Sequence, residues 1–414
     1  MVRLKKPRTL QPQLFQKTLT SVAANVRVGD WRISNRNLKL PAARPWSVRQ
    51  HTLHGGKQEG VELIEVDNGA LRFTVIPTRG MGVLRVESCD VCLGWDSPVR
   101  EVVHPQLVNL TSRGGLGWLE GFNEWLVRCG LESCGAPGPD KFRTATGTEA
   151  TLDLTLHGKI ANTPASEVEV LIERAPPYRL RIRGRVDERS LFGAQFELWT
   201  EISTAPGSNE FRVADEIRNA GRCAQEFQLL YHINYGPPLL EAGARFCAAA
   251  KRVTPANDYS AKQLGQYETF AAPTAGFAEQ VYFLEPLADA SGRSLALLHN
   301  AAADRGVSMT FALEQFPCFT LWKNTAAIAD GYVTGLEPGT SFPRPRQAER
   351  EAGRVPRLAP GAVRRFLMDF TIHAGKGPVA KTKARIDRLQ ATISPAVSAG
   401  VSGSRAGVSR SRAA

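Results

Sequence analysis

The stretch Val61-Glu62-Leu63-Ile64-Glu65-Val66-Asp67-Asn68-Gly69-Ala70-Leu71-Arg72-Phe73-Thr74-Val75-Ile76 is a β-hairpin written in sequence. Apolar and polar residues alternate on both sides of Asp67-Asn68-Gly69, a turn whose residues tolerate positive backbone angles. The same period of two recurs at 151–156, 166–173, 178–186, 194–202, 210–217 and 225–232, and again at 280–284, 294–299, 307–313, 318–323 and 364–372. Gly, Pro, Asn and Asp separate these runs, and long amphipathic helices are nearly absent. Many strands with turn signals between them specify a large antiparallel β-sandwich, an all-β fold with few short helices. The best helical candidate is Trp118 to Arg128, where Trp118, Phe122, Trp125 and Leu126 recur at helical spacing.

No linker-like composition interrupts residues 50–375, so we expect one sandwich domain there. An N-terminal basic, extended segment over 1–49 and a basic, largely disordered tail over 376–414 would flank it. Net charge is +12, yet five of those charges lie in residues 1–17 and seven in 376–414, leaving the middle formally neutral. Such a distribution argues against a nucleic-acid-binding face on the folded body. Without an apolar run long enough to span a bilayer or a signal-type h-region, the expectation is a cytoplasmic protein with no membrane partner. Composition leaves the oligomeric state open.

Seven cysteines, an odd number scattered over 414 residues, do not resemble a disulfide framework. Cys89-Asp90-Val91-Cys92 could make a four-thiolate zinc site only with Cys129 and Cys134. The simpler reading places Cys89 and Cys92 around a turn between two strands, with no metal.

Three short motifs bear on chemistry: Leu156-His157-Gly158, Tyr231-His232-Ile233-Asn234-Tyr235 and Gly335-Leu336-Glu337-Pro338-Gly339. Two imidazoles and a carboxylate at strand ends can supply the acid and the base needed to open a sugar hemiacetal near neutral pH. Their order and wording resemble the aldose 1-epimerase (galactose mutarotase) superfamily, and within it an uncharacterised epimerase-like branch. The resemblance spans roughly residues 50–375. It implies a single extended β-supersandwich, a monosaccharide or sugar-derivative substrate, and acid/base interconversion of anomers without metal or organic cofactor. Glu337, followed by Phe342-Pro343, would be the base; His232 would be the acid; His157 would hold the sugar near its ring oxygen. The sequence departs from the family at Tyr231, where an Asn is usual, and at Lys159, which stands for a second Gly. His54-Gly55-Gly56 reads more literally as His-Gly-Gly, but it precedes the main strands and is taken as a loop histidine.

Further substrate contacts are expected from Arg79, on the turn Pro77-Thr78-Arg79-Gly80, and from Glu279, in a segment similar to the Asp-x-Val-Tyr of hexose-phosphate epimerases. Asn123, Glu124 and Arg128 combine with aromatic neighbours as a sugar site would, or as an ordinary amphipathic helix would. Lys323, Arg344 and Arg346 either meet an anionic group on the substrate or pair with surface carboxylates. Two further function classes stay open: a non-catalytic carbohydrate-binding or sensing protein, and a glycan hydrolase or lyase, which would need a second acid or a Tyr/His pair.

Overall fold

The computed structural model describes residues 13–88, 91–144, 146–391 and 393, with the backbone of 396–397. Two large sheets face each other. In the ten-stranded sheet the spatial order is 245–248, 293–299, 305–312, 363–374, 210–219, 195–204, 180–189, 167–173, 14–21 and 26–27. The thirteen-stranded sheet runs 396–397, 250–255, 280–286, 318–324, 333–339, 228–235, 126–131, 82–88, 71–76, 62–67, 47–52 and 31–34, with 91–93 beside 82–88. Among the described strands pairing is antiparallel except for 252–253 against 396–397; an isolated parallel bridge joins Gly130 to Gly158.

The hairpin read first forms as expected, with Glu62–Asp67 against Leu71–Ile76. Asn68 secures its turn: its Oδ1 accepts from the backbone N–H of Ala70 and Leu71, and its Nδ2 donates to Thr204 Oγ1 and the carbonyls of Ala205 and Ser208. The hairpin of one sheet is thereby tied to a loop of the other. Between the sheets lies a continuous core that includes Val48, Phe73, Trp125, Phe196, Phe211, Tyr231, Phe319 and Phe370.

Three expectations about organisation are corrected. Residues 14–49 are not an appendage, because Leu14–Ser21 belongs to one sheet and Trp31–Ser34 to the other. The segment after 375 begins with a helix, Lys376–Gln390, which buries Val379, Thr382 and Ile386, with Val379 and Ile386 in an apolar cluster with Cys247, Leu295 and Leu297. Apart from the positions named above, the rest of the tail expected over 376–414 lies outside the described residues. Trp118–Arg128 is not one helix. Gly117–Glu120 is a single 3₁₀ turn and Leu126–Leu131 is a strand buried on both faces. Trp118 and Phe122 pack on the outer face of the thirteen-stranded sheet, whereas Trp125 points into the inter-sheet core against Phe211 and Phe370. The helical spacing was a coincidence of residues that serve opposite faces.

A two-stranded hairpin, Gly138–Arg143 with Glu149–Leu154, stands apart from both sheets. It is clamped at Asp140, which accepts from Arg346 at 3.0 Å and from Arg350 at 2.7 and 2.9 Å. Among the described residues no group of His, Cys, Asp or Glu is arranged to hold a metal, and no helix is long and apolar enough to cross a membrane. Cys89 is outside the described residues; Cys129 and Cys134 are buried free thiols.

Candidate functional site

The site forms on the outer face of the thirteen-stranded sheet. Strand 228–235 is buried along its whole length because both of its faces are covered. Leu229, Tyr231 and Ile233 enter the inter-sheet core, while the alternate residues Leu230, His232 and Asn234 face outward. Ile233 pairs with Leu336 and Asn234 with Gly335, which sets His232 across from Glu337 on the neighbouring strand. Both residues therefore lie within strands rather than at strand ends. His232 Nε2 is 3.2 Å from Glu337 Oε1. Gly335 makes this possible: a Cβ there would lie 2.6 Å from the Glu337 carboxylate and 3.1 Å from the His232 ring.

His157 reaches the same place from a turn. Its φ of +59° is a left-handed conformation that non-glycine residues seldom adopt. Gly158 follows because a Cβ at that position would come within 2.2 Å of the Ser133 carbonyl oxygen. His157 Nδ1 bonds the Cys134 carbonyl at 2.9 Å, and its ring stands edge-on to His232 with centroids 5.5 Å apart. Trp118, Phe122 and Trp322 surround the two imidazoles, with centroids 4.6 Å for Trp118–His157, 5.1 Å for Phe122–His232 and 5.3 Å for His232–Trp322. Only 8 % of His157, 5 % of His232 and 2 % of Glu337 is exposed.

The hydrogen bonds fix the protons. Asn234 Nδ2 donates to the Glu124 carbonyl at 3.0 Å and to the His232 carbonyl at 3.3 Å, so its Oδ1 is the atom facing His232 Nδ1 at 2.5 Å. Nδ1 therefore carries a hydrogen, and Nε2 is left facing Glu337. Burial, with the Glu279 carboxylate adding to it, raises Glu337 well above the usual carboxylate range. Burial, then repulsion from His157, lowers His232 well below the usual imidazole range against the opposing effect of Asn234. Both shifts favour the uncharged forms, an imidazole accepting from a protonated carboxyl, over the ion pair.

Burial also pushes His157 down to about 4. A histidine kept neutral in the fold but free to ionise when unfolded contributes stability above pH 6.5 that is lost as pH falls toward 4. For His157 the full loss is on the order of 3 kcal/mol. Chemical denaturation from pH 7 to pH 4.5 is expected to show falling stability, with a shallower fall in His157→Gln; an identical slope in that variant would contradict the assignment.

Other residues singled out in the sequence sit around this centre in different ways. Arg79 and Glu124 form a buried ion pair at 2.7 Å. Arg79 Nη1 also donates to the Val103 carbonyl at 2.8 Å, and Glu124 supplies the carbonyl that orients Asn234. Asn123 Nδ2 donates to the Glu101 carbonyl at 2.7 Å. These three hold the site from behind. Arg128 points to the opposite face of its strand, where it pairs with Asp215 of the other sheet and donates to the Met81 carbonyl at 2.9 Å. Wholly buried between the sheets, it is a structural residue and not a sugar contact. Glu279 is exposed and accepts from the Trp322 indole at 2.7 Å, so it fixes the ring beside His232.

The anion-binding reading loses Arg346 and Lys323 to partners inside the fold, whereas Arg344 stays exposed. Arg346 is buried against Asp140 and Glu226 at 3.0 and 3.3 Å, and Arg344 lies 3.9 Å from Glu349. Lys323 donates to the carbonyls of Gln266, Tyr267 and Thr269, and burial lowers it to about 8. Sequence reasoning missed Asn234 as the residue that fixes the tautomer, Trp118 and Trp322 as the walls, and Gly335 as the space for the pair. The Asn two residues after His232 was the available signal, since i and i+2 share a face on any strand.

A family model, DUF4432, a domain of unknown function, matches residues 58–372. The chain belongs to the DUF4432 family. Among solved structures, this DUF4432 protein is similar to a putative aldose 1-epimerase from Klebsiella pneumoniae subsp. pneumoniae, at 41 % identity over 95 % of this chain and 100 % of that one, with a TM-score of 0.89. A galactose mutarotase-like protein from Clostridium acetobutylicum matches at 13 % identity over 84 % of this chain and 99 % of that chain, TM-score 0.53. A putative aldose 1-epimerase from Escherichia coli K12 matches at 15 % identity over 76 % of this chain and 100 % of that chain, TM-score 0.52. The latter two show the shared mutarotase-like sandwich alone. No curated protein matches.

Proposed function

We propose that this DUF4432 protein is an aldose 1-epimerase-like enzyme that interconverts sugar anomers with the His232–Glu337 pair. The observation that carries the reading is the 3.2 Å contact between the Glu337 carboxyl and the His232 imidazole, with the rings of Phe122 and Trp322 against it. The name given to the Klebsiella relative supports the substrate class.

Moving the shared proton from Glu337 Oε1 to His232 Nε2 leaves a carboxylate and an imidazolium, the arrangement in which Glu337 is base and His232 acid. Glu337 takes the proton from the anomeric hydroxyl, that oxygen's electron pair forms the carbonyl, the bond from C1 to the ring oxygen breaks, and His232 protonates the ring oxygen. Rotation about the C1–C2 bond and reclosure run the same transfers backward on the other face. The pair ends with the proton it began with. His157 holds the sugar near the ring oxygen, and Trp118, Phe122 and Trp322 offer apolar faces to the ring.

Activity then requires one proton on the pair. It is expected to show no acid-side inflection near 6.5, because burial makes a second proton join His232 well below the usual imidazole range. Freshly dissolved pure anomers, followed by polarimetry at several protein concentrations and pH values, test this. A rate linear in protein with no step near pH 6.5 is the expected result; no acceleration for any aldose overturns the function, and a step at 6.5 overturns the shared proton.

A further inference from the structure

Across the Leu156-His157-Gly158 turn from the His232–Glu337 pair lies a cavity of about 370 Å³, beside the 138–154 hairpin. The cavity and the catalytic pair are bordered by the same short segments. Leu110 lines the cavity and packs on the Trp118–Phe122 cluster; Gly158, next to His157, lines it as well; Ser133 precedes Cys134, whose carbonyl orients His157. A ligand longer than one sugar ring and seated against His157 would meet this cavity next.

Its chemistry is that of a neutral, hydroxyl-rich ligand. Leu110, Leu152 and Leu154 give it an aliphatic side, with Leu152 37 % exposed. Ser133 is 2 % exposed and its hydroxyl has no hydrogen-bond partner. Glu188 is buried at the far wall, accepting from the backbone N–H of Leu131 and Glu132 at 2.7 and 2.9 Å. Carboxylates outnumber cations in the lining, with Lys159 the one basic residue and itself 3.7 Å from Glu132. An anion would be repelled, whereas a pyranose can lay its apolar face on the leucines and give hydroxyls to the polar side. The volume falls in the range of small-molecule sites, and the ion pairs of Arg346 and Arg350 with Asp140 hold the hairpin in place.

We propose that this cavity is a second glycosyl subsite, so that the preferred substrate is an aldose already bearing another neutral sugar unit: a reducing di- or oligosaccharide. The inference rests on the epimerase reading for its turnover but not for its binding. Two measurements separate them. First, kcat/KM for anomer exchange is compared between reducing disaccharides and their reducing-end monosaccharides; at least one disaccharide is expected to lead by tenfold or more, and Leu152→Arg should cut that ratio at least tenfold. Second, saturation-transfer NMR reads binding of the methyl glycosides of the same disaccharides, which cannot open, and Leu152→Arg should weaken it tenfold. Turnover of monosaccharides with no disaccharide advantage, or an advantage indifferent to Leu152→Arg, overturns the subsite and leaves the epimerase standing. Leu152-sensitive binding of methyl disaccharides without turnover of any sugar keeps the subsite and removes the epimerase; neither turnover nor binding removes both. If Leu152→Arg does not fold, Thr111→Trp, at an exposed rim position, fills the same space and gives the same comparison.

Discussion

Glu337→Gln is expected to lower catalysed anomer exchange by about 10² or more, the usual worth of a positioned acid/base group. The amide keeps the shape and can still donate to His232 Nε2, which lies 3.2 Å from the Glu337 carboxyl. What it cannot do is give that proton up and take another. Stability should hold or rise, because a buried titrating group has been replaced by a neutral one, and sugar binding should change little. His232→Asn should lose turnover to a similar degree. Wild-type exchange in either variant would remove the pair from the mechanism.

The largest effect on stability is expected behind the site rather than in it. Arg128 joins the sheets through Asp215, which also accepts from the Tyr231 hydroxyl at 2.5 Å. Arg128→Met leaves a buried carboxylate with one neutral partner, a loss of about 3–5 kcal/mol for breaking a buried pair. Urea denaturation should show a lowered midpoint, and adding Asp215→Leu should restore part of it, since removing both charges removes the unpaired one. A sugar-contacting Arg128 would behave otherwise, losing affinity while the midpoint stayed where it was.

Where alternation was sharp, the fold was legible in residue order. Strands 167–173 and 195–204 have one face in the core and one outside, and their sequences alternate accordingly. Strands covered on both sides, or hardly at all, gave no such signal. Leu126–Leu131 is buried throughout and merged with the preceding aromatics into a false helix; Leu14–Ser21, near the sheet edge, buries only Leu19 and Ser21, too few to show a pattern. The Lys376–Gln390 helix covers its cluster with few apolar residues, so its composition read as tail.

The site was legible in part for a similar reason. His157, His232 and Glu337 stood out because acid/base residues beside glycines are chemically conspicuous, and the fold brings them together. Charge alone misled elsewhere: Arg79, Arg128 and Arg346 looked equally available in sequence, but each is satisfied by a carboxylate distant along the chain, Glu124, Asp215 and Asp140. No local pattern reveals a partner 45, 87 or 206 residues away.

Exchange NMR on sugars already at anomeric equilibrium tests the central claim most directly, because it separates turnover from binding in one spectrum. With the protein present, cross-peaks between the α- and β-anomeric protons of at least one aldose should build up at a rate proportional to protein concentration, and vanish with Glu337→Gln. Broadened sugar signals without exchange cross-peaks, for every sugar that binds, would contradict the account and make this a carbohydrate-binding protein on the same sandwich.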